Sequence, residues 1–144
     1  MSESELVAID SLIPHRPPFL FVDHVCALDA TGGEFFLHLV AGDPRLTDGH
    51  LSALVLVEAL AQCAAAVQAS QPTEKSSFGL LASIDYARFC CPPRDSGDVK
   101  LVVRRNRSYG AFARFSGTAH QADRLLAETE FTVRYFTQDE WPNA

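Results

Sequence analysis

A chain of 144 residues can bury one hydrophobic core and is too short for two domains of ordinary size, so residues 1–144 read as a single domain. A formal net charge of -6 leaves no basic surface of the kind phosphate backbones demand, which excludes nucleic acid as the expected partner. Cys26, Cys63, Cys90 and Cys91 show neither CxxC nor Cys/His metal spacing, and adjacent Cys90 and Cys91 are badly placed to bridge each other, so a reduced, cytoplasmic setting is expected.

In chain order, MSESELVAID is acidic and lacks the basic and apolar regions of a signal peptide. Residues 4–13 contain ELVAIDSLI, a short amphipathic piece predicted to form a turn or two of helix over the core. Pro14, Pro17 and Pro18 then interrupt regular structure and make IPHRPP a rigid, extended stretch. Residues 19–28, FLFVDHVCAL, are rich in aromatic and β-branched side chains and read as a strand. Thr31-Gly32-Gly33 marks a turn, and residues 34–40, EFFLHLV, return, so the first two strands form a hairpin. Residues 41–49 are the loop that delivers His50 to the next element.

That element organises the chain. Between Leu51 and Ala69 nearly every side chain is apolar or small, and the large polar groups are Glu58, Gln62 and Gln68. A helix that is apolar around most of its circumference needs cover on several sides, so it reads as a central helix wrapped by other structure. Its length approaches that of a membrane span, yet Glu58 and Gln62 near the middle make insertion costly, and no span is expected. Cys63 reads as a small buried hydrophobe. Glu58 is the anomaly, because a carboxylate in a buried helix costs on the order of several kcal/mol unless it is paired, hydrogen-bonded or protonated. Gln62 follows about one turn later on the same face, with an amide able to donate to it. An acid or base, its orienter and an imidazole, His50, therefore fall within one segment. A structural carboxylate, capping backbone or paired with an arginine, is the competing reading of Glu58. His50 alone reads as a surface or capping residue, and Ser52 as the N-cap, a place for which Asp48 competes.

Residues 71–77 form a polar connection. Residues 78–89, FGLLASIDYARF, begin as an apolar run and then alternate, which predicts a strand with one buried end. CCPPRDSGD is a turn. Strands at 99–106, 110–121 and 125–136 follow, joined by tight turns at 108–110 and 122–124. The fold class is α+β: an antiparallel sheet of about six strands curled around one helix, with an outer edge or face left for dimerisation to cover. Arg104, Arg105 and Arg107 read as solvated strand surface, with Arg105 and Arg107 on one face. His15 reads as structural, bonded beneath the helix; His24, His38 and His120 lie in strands without metal spacing, and Trp141 sits in a polar tail.

Three stretches carry a resemblance that covers almost the whole chain. IPHRPPFLFVDHV, VLVEALAQCAA and IDYARF followed by a proline-containing turn resemble, in order, signatures of the hotdog-fold beta-hydroxyacyl-[acyl carrier protein] dehydratases. The resemblance implies a hotdog fold and loss of water from a 3-hydroxyacyl thioester to give the trans-2-enoyl thioester. It implies catalytic roles for His50 and Glu58, with Gln62 orienting the carboxylate, and Gln62 and Ser52 are the candidate substrate-binding residues. It further implies no metal or redox cofactor, a substrate carried on the phosphopantetheine of acyl carrier protein or on coenzyme A, and sites that span a dimer interface. Where the family continues Gly-His-Phe-Pro-Gly to a second Pro-Gly, this chain runs from Gly49-His50 directly into LSALVLVE. Such shortening is similar to dehydratase-like proteins of aryl-polyene and related polyketide gene clusters, some of which work beside a second hotdog subunit. A hotdog thioesterase, and a non-catalytic acyl-binding subunit of a heterodimer, are the alternatives.

Overall fold

A computed structural model describes residues 8–71, 78–137 and 139–140. The predicted helical turns at 4–7, the connection at 72–77 and the tail bearing Trp141 lie outside the described residues. A short 3-10 turn, Ile9–Ser11, leads into an irregular stretch and then β1 (His24–Leu28), β2 (Gly32–Leu39), α1 (Ala53–Ala69), β3 (Phe78–Phe89), β4 (Gly97–Tyr109), β5 (Phe112–Gln121) and β6 (Arg124–Phe136). The strands form one sheet in the order β1-β2-β4-β5-β6-β3, with every neighbouring pair antiparallel. The sheet curls around α1, which is the hotdog architecture expected from the sequence.

The alternation of β5 and β6 explains the sheet's inner face. Ala113, Phe115 and Ala119 of β5 and Leu126, Phe131 and Val133 of β6 are buried, and Phe115 stacks on Phe131 with ring centroids 5.8 Å apart. Leu56, Leu60, Cys63 and Val67 of α1 meet them together with Phe35, Leu37 and Leu101. Gly117 sits where Leu60 presses on the sheet, and a Cβ there would lie 3.2 Å from the Leu60 methyl carbons.

Four expectations are corrected. The first strand begins at His24 rather than at residue 19, because the preceding amides are spent elsewhere: Phe19 N–H donates to Arg16 O at 2.9 Å, and Phe21 N–H to the Gln62 side chain at 2.9 Å. β3 has no buried end, since Gly79 onward is exposed to Phe89 on both faces; the strand lies at the margin of the sheet, paired with β6 alone. Arg105 is not solvated strand surface: it turns inward over the Phe115 ring and donates to Gln68 Oε1 at 2.5 Å. Finally, α1 is not wrapped on every side. One stripe, Leu54, Glu58, Ala61 and Ala65, stays open, with Leu54 72% exposed, because a single curled sheet covers only one side of a helix.

Candidate active site

Glu58 stands on that open stripe, its side chain 45% exposed and therefore not the buried carboxylate the sequence suggested. Gln62, one turn on, is 1% exposed and uses both ends of its amide on the chain itself. Its Nε2 donates to Glu58 Oε1 at 3.0 Å and to Phe19 O at 2.7 Å, and its Oε1 accepts from Phe21 N–H. Helical i, i+4 spacing brings the amide to the carboxylate, while the bonds to Phe19 and Phe21 clamp the irregular stretch before β1 onto α1.

The histidine that the chain itself brings to Glu58 is His15, whose Nε2 lies 3.8 Å from Glu58 Oε1. Sequence reasoning left His15 as a structural residue bonded beneath the helix and did not connect it to Glu58. The available signal was its place beside Arg16, whose guanidinium folds back onto three carbonyls, those of Asp10, Ile13 and His15.

His50 lies elsewhere. It lines an open surface depression with residues 92–96 of the β3–β4 turn and with Arg124, and shares no hydrogen bond or ion pair with Glu58 in the single chain. Its backbone closes a two-residue turn: His50 N–H donates to Thr47 O at 3.0 Å and Thr47 N–H to His50 O at 2.8 Å, with Asp48 and Gly49 at φ of 52° and 77°. Ser52 is the N-cap of α1, its hydroxyl accepting from Leu54 N–H at 3.3 Å.

The loop that carries His50 is fastened to the first hairpin by a charge network absent from the sequence reading. Arg45, its side chain 14% exposed, donates to both oxygens of Asp23 and both of Asp43 at 3.0 Å, and to His38 O at 2.8 Å. The hydrogen bond from Arg45 holds the Asp43 carboxyl below the usual carboxylate range. Burial pushes the Cys63 thiol well up, which disqualifies it as a nucleophile. All four cysteines are free. Among the described residues no group of His, Cys, Asp and Glu side chains is arranged to hold a metal ion, and no helix is long and apolar enough to cross a membrane.

With this geometry in place, comparisons with known proteins give a consistent result. The family model described as ApeP dehydratase, of the ApeP-like family, matches residues 7–140. The 3-hydroxyacyl-[acyl-carrier-protein] dehydratase FabZ of Anaeromyxobacter dehalogenans strain 2CP-1 is 35% identical over 136 residues, covering 88% of this chain and 87% of that protein. The protein of the same name from Chloroflexus aggregans is 32% identical, covering 85% of this chain and 89% of its own length. Among solved structures, a chain of the dehydratase heterocomplex ApeI:P from Xenorhabdus doucetiae superposes with a TM-score of 0.82 at 18% identity, over 94% of this chain and 95% of that one.

Proposed function

The chain belongs to the ApeP-like dehydratase family, and from that premise we propose that it removes water from a 3-hydroxyacyl thioester carried on acyl carrier protein, with Glu58 and a histidine in the position of His50 as the reacting pair. The observation that carries the assignment is the carboxylate of Glu58, the charged group on the open stripe of α1, held by the Gln62 amide that also binds the backbone before β1. An acyl chain needs an apolar wall, and the elimination needs one acid and one base.

The steps balance as an acid–base elimination. A neutral imidazole takes the proton alpha to the thioester carbonyl, the electron pair forms the 2,3 double bond, and the 3-hydroxyl leaves as water after receiving the proton of the Glu58 carboxyl. First-turn N–H groups of α1 and the helix dipole favour the negative charge that develops on the carbonyl oxygen. This chemistry asks for no metal or redox group. Gln62 acts on Glu58 rather than on substrate, and Ser52 acts by fixing the start of α1.

Within one chain His50 and Glu58 stand apart, which favours a site completed across an interface. The bare margin of β3, with Leu80, Leu81, Ile84, Tyr86 and Phe89 exposed, offers the edge for a second hotdog chain. That chain is either a copy of this one or a different hotdog subunit. The second possibility is favoured by the structural likeness to a chain whose complex is described as a dehydratase heterocomplex.

The test is mass spectrometry of 3-hydroxyacyl-[acyl carrier protein] incubated with the purified protein. Loss of one water by wild type is expected, with His50→Ala and Glu58→Gln each slowing it by about 10²–10⁴-fold. Release of free acid instead would make the chain a thioesterase. Turnover only after a second hotdog subunit is added would make it one half of a shared site, and the two substitutions then tell which half of the chemistry it supplies.

A further inference from the structure

The geometry points to His15 as a positioning residue for Glu58, the group that together with Gln62 pins one carboxyl oxygen so that the other is presented to substrate. This rests on the dehydratase reading of Glu58. Among the described residues the polar contacts of the carboxylate fall on Oε1, the Gln62 amide at 3.0 Å and His15 Nε2 at 3.8 Å. Oε2 receives no hydrogen bond among the described residues, so it is the atom left to exchange a proton with the departing hydroxyl.

The imidazole is built for this task in two respects. Its Nδ1 is buried without a hydrogen-bond partner among the described residues, whereas its Nε2 faces a carboxylate. A buried N–H with nothing to accept it is the costlier arrangement, so the neutral ring carries its proton on Nε2, the nitrogen 3.8 Å from Oε1. The backbone beneath the ring is also fixed from both sides. Upstream, Arg16 donates to Asp10 O at 2.9 Å, Ile13 O at 2.8 Å and His15 O at 2.7 Å. Downstream, Gln62 takes hold of Phe19 and Phe21. The same amide that binds Glu58 therefore also anchors the segment bearing His15, and carboxylate, amide and imidazole form one closed unit. With its side chain 33% exposed, His15 sits at the rim of the open stripe rather than beneath it.

The distinguishing variants are His15→Gln, whose amide nitrogen reaches the place of Nε2, and His15→Asn, whose amide nitrogen reaches only that of Nδ1. In the dehydration assay, run on the protein in the oligomer or complex that turns over, His15→Asn is expected to lower kcat by roughly ten- to a hundredfold with KM within about twofold. His15→Gln is expected to recover most of that loss. Wild-type kcat in both variants, or equal losses in both that follow a fall in melting temperature, would overturn the assignment. A second readout does not depend on turnover. In 15N spectra of histidine-labelled protein, the His15 ring is expected as the Nε2-protonated tautomer, and its signals are expected to move on Glu58→Gln. Signals that stay in place would equally overturn the proposal. Should wild type dehydrate nothing in any complex, the dehydratase reading falls, while the spectra still decide whether His15 holds Glu58.

Discussion

Asp43 shows how far the loop before α1 depends on charge. Its carboxyl is nearly buried and takes two hydrogen bonds from the Arg45 side chain, a third coming from the Arg45 backbone N–H at 3.0 Å. The folded-state pKa lies below the ordinary value of 3.8, with the hydrogen bond from Arg45 as the largest favourable cause. A depressed carboxylate pKa contributes stability that is complete above the unfolded value and is lost as pH falls through the folded one. Urea titrations are therefore expected to show stability declining below about pH 4, and in Asp43→Asn that part of the decline disappears. None of this was legible in the sequence, where Asp23, Asp43 and Arg45 are three polar residues in and around a loop. Glu58 and Gln62 were legible because a polar residue in an apolar run has to be explained. His15 was not, because its approach to Glu58 depends on the path of an irregular segment that no periodicity encodes.

The helix and all six strands, by contrast, follow from periodicity and turn residues, and the hairpin of β1 and β2 and the order of elements match the sequence reading. The errors at this scale share a cause. The start of β1, the exposure of β3 and the inward turn of Arg105 were each decided by a partner outside the segment: a helix side chain, the end of the sheet, and a glutamine at the far end of α1. Helix and sheet press together at Gly117, where β5 passes under Leu60 of α1. Gly117→Val forces Leu60 away from the sheet and with it the turn that holds Glu58 and Gln62. A loss of about 1–3 kcal/mol is expected, read as a lower denaturant midpoint at unchanged slope. Reduced activity at temperatures where the variant remains folded would place the displacement at the site.

For the whole molecule, the decisive fact is that the described residues of one chain leave bare the open stripe of α1 and the margin of β3. Apolar side chains on an unpaired edge are the usual mark of a strand that pairs with another chain. On the proposed assembly, Ile84→Lys is expected to shift the sedimentation mass toward that of a single 15.8 kDa chain, with little change in folding, since Ile84 is exposed within the chain. An unaltered mass would move the interface elsewhere. The bond between Phe21 N–H and Gln62 has a further consequence, visible to solvent rather than to a substrate. The stretch from Arg16 to Asp23 belongs to no strand or helix, and an amide in such a stretch exchanges its hydrogen with water readily unless it is bonded. Tied to a buried side chain, the Phe21 amide must wait for that segment to lift from α1, so hydrogen exchange at this single position keeps time with the opening of the carboxylate's surroundings.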